Sequence, residues 1–295
     1  MDDNEFLAQR FEANRSQLRA VAYRMLGSLA DADDAVQEAW MRLSRADTTD
    51  VANLGGWLTT VVGRVCLDML RSRKSRREDP LDLHLPDPIV TSANRIDPEQ
   101  EVLLADSVGL ALLVVLQTLA PAERLAFVLH DMFAVPFEEI ALVVDRSPAS
   151  ARQLASRARR RVRGSAAVPE IDLAKQREVV DAFLTAARGG DFEALVAVLD
   201  PDVVLRADTG ALPGITTRVL HGAAAVASQA LMFSRMARST SLPVLVNGSA
   251  GVVSSSGGAA LAVMGFTIVD GKIVEIHILA DPERVGHLDL TVLGG

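Results

Sequence analysis

FEEIALVVDRSPASARQLASRARRRVRG, residues 137–164, is the stretch on which the reading of this chain turns. It holds two helical runs broken at Asp145-Arg146-Ser147. Ser147 before Pro148 is a capping side chain followed by a proline at the first helical position, and both favour a helix start. In the second run Ala151, Leu154, Ala155, Ala158 and Val162 recur on one side at helical spacing. Arg152, Gln153, Ser156, Arg157 and Arg160 fall on the other side. Small packed residues let such a helix sit low against its partner, which is helix-turn-helix form. Its exposed N-terminal residues would reach base edges, where arginine reads guanine and glutamine reads adenine. Arg159, Arg161 and Arg163 are better placed for phosphates. A solvated basic helix is the plainer alternative, but cap, partner helix and acid-free face coincide here.

Charge taken over the whole chain speaks against nucleic acid: 30 basic and 38 acidic side chains give a net −8. The distribution reverses that. Arg146 to Arg163 carries net +7 and Arg64 to Arg77 net +5, leaving −20 for all other residues. Two basic blocks stand in an acidic chain. The first block ends an apolar helix headed by Trp57, and Arg64, Arg71, Arg73 and Lys74 are candidate DNA contacts there. A basic helix with an aromatic suits single-stranded or melting DNA, although a lone tryptophan also serves as core.

The 295 residues are 49% apolar, enough for packed domains. No apolar run approaches the roughly 18 residues of a membrane span. The N-terminus MDDNEF lacks a signal-peptide pattern, and the single Cys66 excludes an internal disulfide and a cysteine zinc cluster. A cytoplasmic protein that needs no membrane is expected. Before Trp57, residues 2–25 and 31–43 read as helices, with Asp31 as the cap of the second. Residues 78–100 hold four prolines and six acids without periodicity and read as a flexible linker. Helical signal returns over 101–163: Glu101 to Leu119, then Pro121 through Phe133, then the helix-turn-helix. His130 reads as local packing. A second break at 164–171 precedes two helices at 172–188 and 191–199, a strand at Val203–Ala207, a helix at 222–237 and an antiparallel meander. Asp270-Gly271 marks a hairpin in it. The expected organisation is a helical block over 1–77, the linker, a helix-turn-helix block over 101–165 and an α+β domain over 172–295.

These residues resemble a known family. DADDAVQEAWMRL (31–43), the Trp57 helix ending in RSRKSRR (71–77), and LAPAERLAFVLHDMFAVPFEEIALVVDRSPASARQLASRARRRVR (119–163) are similar to regions 2 and 4 of extracytoplasmic-function sigma factors. The likeness runs over about residues 5–165 in the right order, and two matching blocks make it specific. The C-terminal part resembles SnoaL-like domains of the NTF2-like superfamily, an extension that a subgroup of these sigma factors carries. The resemblance implies two all-α sigma domains followed by an α+β cone, with core RNA polymerase and promoter DNA as partners. It assigns polymerase docking to Asp31, Asp33, Asp34, Gln37 and Glu38. It assigns minus-ten melting to the loop before Trp57 and the helix from Trp57 to Arg64, and minus-thirty-five recognition to Arg152, Gln153, Ser156 and Arg157.

Three further motifs belong to the subgroup. His84-Leu85-Pro86-Asp87-Pro88 resembles its proline-acid-proline linker motif, which usually begins with tryptophan and carries glutamate. Asp281-Pro282-Glu283-Arg284-Val285 resembles its tail motif, with changes. Arg206-Ala207-Asp208-Thr209-Gly210 occupies the place of a glycine-rich third motif and matches it poorly. In the subgroup the extension folds back to regulate the sigma domains, so intramolecular contact with linker and sigma domains is expected. Some NTF2-like relatives are enzymes, and chemistry there needs a pocket acid or histidine. Asp208, His221 and His277 are the pocket candidates, and an unidentified small ligand is one use for such a pocket. No phosphate loop, nucleophile elbow or metal-spaced cluster occurs, so no cofactor, no metal and no catalysis are expected. Two other readings stay open: a ligand-responsive DNA-binding regulator, and an NTF2-like enzyme fused to a DNA-binding module. The region 2 likeness favours a sigma factor, because neither alternative needs a polymerase-docking surface or a melting helix.

Overall fold

The structure is a computed structural model that describes residues 3–45, 53–76, 85–92, 109–165, 172–210, 218–236 and 240–290. Packing groups these into two compact units: Met1–Asp82 with Leu113–Ala166, and Leu83–Leu112 with Ala167–Gly295. The helices on either side of the expected linker therefore share one unit, and linker residues belong to the other.

The first unit is helical. α1 (Asp3–Leu26), α2 (Leu29–Leu43) and α3 (Leu54–Arg76) are followed by α4 (Leu110–Thr118), α5 (Pro121–Phe127), α6 (Phe137–Val144) and α7 (Pro148–Ser165). The cap of α2 is Ser28, whose hydroxyl accepts the Asp31 N–H at 3.4 Å. Sequence reading places Asp31 there, but Leu29 and Ala30 are already helical, so Asp31 lies in the first turn, where the helix dipole favours a carboxylate. The expected unbroken helix to Phe133 is also corrected: Val128–Met132 forms a π-helical turn, and Ala134 comes after it at φ 54°. The first part of the expected helix from Glu101 lies outside the described residues.

Leu18, Met25, Leu58 and Leu67 from α1 and α3 are fully buried, as are Leu125, Leu129 and Ile140 further along the chain. Gly63 lets α3 come close to the π turn, since a Cβ there would lie 3.1 Å from Leu129 Cδ1. Arg124 ties the same region. It is 3% exposed, and its guanidinium donates to Met25 O and Gln117 O at 2.7 Å each. Burial, with the Arg73 charge second, pushes its pKa down to about 10, which leaves it cationic at neutral pH. Helices that sequence order separates by about a hundred residues are thus held by one buried cation.

The second unit carries α8 (Leu173–Gly189), α9 (Phe192–Val198), α10 (Ala223–Met236) and a seven-stranded sheet. Its strands are β1 (Val90–Ser92), β2 (Leu199–Asp208), β3 (Arg218–His221), β4 (Thr240–Val246), β5 (Ser249–Ser256), β6 (Ala259–Val269) and β7 (Lys272–Leu279). The order is β1-β4-β5-β6-β7-β2-β3, antiparallel except for the parallel pair β2 and β7. Asp270 and Gly271 turn the β6–β7 hairpin with φ 49° and 74°, the left-handed pair that an Asp-Gly turn supplies. Phe183, Leu195 and Val226 of the helices pack with Leu205, Val252, Phe266 and Ile276 of the sheet. Helices on one face of such a sheet are what the NTF2-like resemblance implies. Sequence reading has no strand within 78–100, yet Val90, Thr91 and Ser92 pair with Val246, Leu245 and Val244. Three residues close behind two prolines are too short to show a two-residue period.

Arg124→Met removes the partners of two buried carbonyl groups. It is expected to cost about 2 kcal/mol of first-unit stability, read by urea denaturation with Trp40 and Trp57 fluorescence. An unchanged midpoint would show that Arg124 does not hold these helices.

Candidate nucleic-acid interface and linker clamp

α7 presents the predicted face. Ala151, Ala155 and Ala158 are fully buried, while Arg152, Gln153, Ser156, Arg157 and Arg160 are turned outward at the surface. The Ser147 hydroxyl accepts the Ser150 N–H at 3.2 Å and caps the helix. Acids on the preceding elements hold several of its arginines. Glu138 accepts from Arg152 at 2.8 Å, and Asp131 accepts from Arg159 at 2.6 Å. Glu123, itself buried, lies 3.0 Å from Arg161 and 3.7 Å from Arg157. Sequence reading treats those arginines as free to meet phosphate, and the structure gives Arg159 and Arg161 internal partners.

The second basic segment is built differently. Trp57 and Val61 are half-buried, not inward-facing, and with Thr60 and Arg64 they line a groove of about 400 Å³. Its other wall is Glu139, Leu142 and Val143 of α6. Arg64 and Arg71 are exposed. Arg73, expected on DNA, pairs with Asp31, expected on polymerase, at 2.5 Å. The side chain of Lys74 lies outside the described residues, as does His84. On α2, Asp33 and Asp34 are exposed and Gln37 beside them is too. Asp33 is held by Arg19 at 2.6 Å and Glu38 by Arg42 at 2.9 Å. Asp33, Gln37 and Trp40 share a groove of about 250 Å³ with Phe11 and Arg15 of α1.

The three subgroup motifs meet in the second unit. α11 (Pro282–Gly286) is capped by Asp281, whose carboxylate accepts the Glu283 and Arg284 N–H groups. That helix aims Arg284 at the linker. Its guanidinium donates to Asp208 Oδ2 at 2.6 Å, to Leu85 O at 2.6 Å and to Asp87 Oδ1 at 3.1 Å from Nε. Asp208 Oδ2 also accepts the Leu85 N–H at 3.1 Å. Leu85, Pro86 and Pro88 are buried. Ile89 completes the docking by exchanging hydrogen bonds with Asn247. Gly210, at φ 58°, leaves the space that the Asp281 carboxylate fills. Sequence reading ranks the 206–210 stretch as a poor match, but its Asp208 and Gly210 form the floor of this clamp.

Comparisons with known proteins fit this geometry. Residues 10–76 match Sigma-70 region 2, and residues 109–162 match Sigma-70 region 4. The ECF RNA polymerase sigma factor SigJ of Mycobacterium tuberculosis is 40% identical, over 93% of this chain and 91% of its own. The probable ECF RNA polymerase sigma factor SigI of the same species is 36% identical over the whole of both chains. The crystal structure of Mycobacterium tuberculosis SigJ superposes with a TM-score of 0.75 at 35% identity, covering 94% of this chain and 97% of that one. The chain belongs to the extracytoplasmic-function sigma factors of the sigma-70 family.

In this sigma factor the pocket candidates share one sheet face but stand in different surroundings. Asp208 is spent in the clamp, and His221 is exposed on edge strand β3. His277 is 1% exposed, and its two ring nitrogens have no hydrogen-bond partner. Its Nε2 lies 3.6 Å from Glu275 Oε2, beyond hydrogen-bond range. Strand register puts Arg206, Asp208, Glu275 and His277 on one sheet face and Leu205, Ala207, Ile276 and Ile278 on the face that meets the helices. Among the described residues no group of three metal-ligating side chains occurs, and no helix is long and apolar enough to cross a membrane.

Burial, with the Arg206 charge second, pushes His277 from 6.5 down to about 3. The unfolded chain therefore takes up a proton near pH 6.5 that the folded one refuses. Stability resting on neutral His277 is complete above that pH and drains away as pH falls toward 3. Glu275 is pushed up by burial against the pull of Arg206, and its earlier protonation in the folded state opposes the loss. The His277 contribution alone is expected to lose about 2 kcal/mol between neutral pH and pH 5. Calorimetry of the full chain should show this fall, and His277→Leu should flatten it; equal slopes for both proteins would refute the assignment.

Proposed function

We propose that this sigma factor is the cytoplasmic promoter-recognition subunit of RNA polymerase, and that it carries its own restraint in the fused domain. Core polymerase docks on the exposed acids Asp33 and Asp34 with Gln37, where an acidic stripe beside Trp40 suits a basic partner. Asp31 supports that surface through Arg73. Arg152, Gln153, Ser156 and Arg157 read the minus-thirty-five element, and Trp57 to Arg64 opens and reads the minus-ten element. The reading assigns no covalent chemistry to the fused domain, because the sheet face toward the helices is lined with apolar side chains.

The observation that carries the regulatory part is the Arg284 clamp. A holoenzyme must place regions 2 and 4 on elements about 25 base pairs apart, roughly 85 Å at about 3.4 Å per pair. The first unit does not fit that span, since α3 and the π turn touch at Gly63 and the Trp57 groove is walled by α6. Opening needs linker. Docking residues 85–92 on the second unit withdraws about eight residues, up to roughly 26 Å of extended chain. The closed form is thus favoured while Leu85, Asp87 and β1 stay docked, and release of the linker favours promoter binding.

Run-off transcription with purified core polymerase and a promoter library tests this. Failure of both the full chain and a truncation near residue 170 on every template would sink the promoter-recognition role. Arg284→Ala leaves Asp208 buried without its cation, a loss of about 3 kcal/mol at the clamp. It is expected to raise transcription about fivefold, and wild-type output would dismiss the clamp as a restraint. Arg157→Ala is expected to weaken minus-thirty-five discrimination by about 1–3 kcal/mol, and an unchanged promoter preference would remove its role.

A further inference from the structure

Two side chains outside α7 contact the first arginine of its exposed face, and a third backs one of them. The Arg152 guanidinium carbon lies 5.5 Å from the centre of the Phe137 ring, and its Nη2 donates to Glu138 at 2.8 Å. Phe137 is stacked in turn on His130, with ring centres 3.8 Å apart and planes 29° from parallel. His130 is fixed by its Nδ1 at 3.0 Å from Val135 O. The π turn and the left-handed Ala134 make this geometry. A π turn holds one residue more than an α-turn, so it re-aims the chain beyond it. Ala134 at φ 54° is a conformation that costs a non-glycine residue energy and persists only where the surroundings demand it. Here the return of the chain brings His130 under Phe137 and Asp131 to Arg159.

We propose that His130, Phe137 and Glu138 form a bracket that positions Arg152 and thereby sets the base preference of this sigma factor at the minus-thirty-five element. The inference rests on Arg152 reading that element. A free arginine side chain samples many rotamers and meets phosphates and base edges indiscriminately. A guanidinium on a ring face keeps its plane, and that plane is what matches the two acceptors of a guanine edge. Phe137 fixes the plane, and His130 backs the ring so that it cannot tilt. Glu138 occupies the donor edge until a base edge replaces it. A phosphate must displace the same Glu138 carboxylate without the gain of a matched base edge, so exchange onto non-promoter DNA is disfavoured. His130, Phe137 and Glu138 are positioning residues, and none needs to touch a base.

The test uses the full chain with core polymerase and a promoter pool randomised across the minus-thirty-five element, with transcripts sequenced. Arg152→Ala should flatten preference at one or two positions. His130→Ala and Phe137→Leu should reduce preference at those same positions about threefold to tenfold, with total transcription from the pool little changed. His130→Phe keeps an aromatic behind Phe137 and should restore the pattern. Glu138→Gln, an exposed change that spares folding, should raise transcription from the disfavoured sequences about threefold and decides the matter if His130→Ala does not fold. If Arg152→Ala changes the pattern while the bracket variants keep it, the bracket is wrong and the recognition role stands. If His130→Ala and His130→Phe lose preference equally, stacking is not the cause and the proposal falls. An unchanged pattern in Arg152→Ala removes the recognition role and the bracket with it.

Discussion

A carboxylate that is 1% exposed needs a cation, and for Asp208 that cation is Arg284. Burying either charge alone would cost several kcal/mol, so both are stable only together and with their remaining hydrogen bonds satisfied. Gly210 N–H supplies one of these from within the domain, to Asp208 Oδ1 at 3.1 Å, and the linker supplies others. Asp208 Oδ2 takes the Leu85 N–H, and Arg284 takes Leu85 O and Asp87. The linker is therefore a structural component of the C-terminal domain, completing an ion pair that is otherwise short of partners. The same segment joins regions 2 and 4 in sequence, so the buried ion pair holds part of the chain between them.

Charge in the first unit obeys a related logic. A helix with six arginines would bind any duplex through counterion release. Here Glu123, Asp131 and Glu138 meet Arg152, Arg157, Arg159 and Arg161 before DNA does. Under the proposed recognition role each pair is exchanged when a phosphate or base arrives, which lowers sequence-independent affinity while a well-matched site recovers the loss. The net −8 of the chain, which at first argues against DNA, is in part this compensation. Exposed pairs of this kind add little stability. Their contribution is to hold long side chains in place and to penalise the wrong partner.

The helical half was legible because its signals are local. The Ala151–Ala155–Ala158 stripe, the Ser147-Pro148 start and the +7 block are all readable within a few turns, and the α7 surface derives from them. The Asp270-Gly271 hairpin is legible for the same reason. Distant partners decide the features that local pattern hid. Asp31 and Arg73 sit in different expected interfaces, and only packing shows that they hold each other. Asp208 lies in the weakest of the three motifs because its role needs an N–H from Leu85 and a guanidinium from Arg284. The π turn has no periodic signature, so His130 reads as packing until the ring contact with Phe137 is seen.

The sheet of the C-terminal domain buries apolar residues on both faces, with Val253, Val263 and Leu279 on the face that carries Asp208 and His277. Toward α8, α9 and α10 it offers Leu205, Val252, Phe266 and Ile276, which pack with Phe183, Leu195 and Val226 in the space between sheet and helices. An NTF2-like pocket for substrate would need that space, with an acid or histidine aimed into it. The titratable residues Arg206, Asp208, Glu275 and His277 lie on the other face, and Asp208 is committed to the linker. A histidine pushed down to about 3 by burial is also a poor general base near neutral pH, where a group poised near 7 is wanted. The carboxylate of Asp208, by contrast, is engaged by a segment of the same chain. What this face of the domain holds is part of the chain that joins regions 2 and 4.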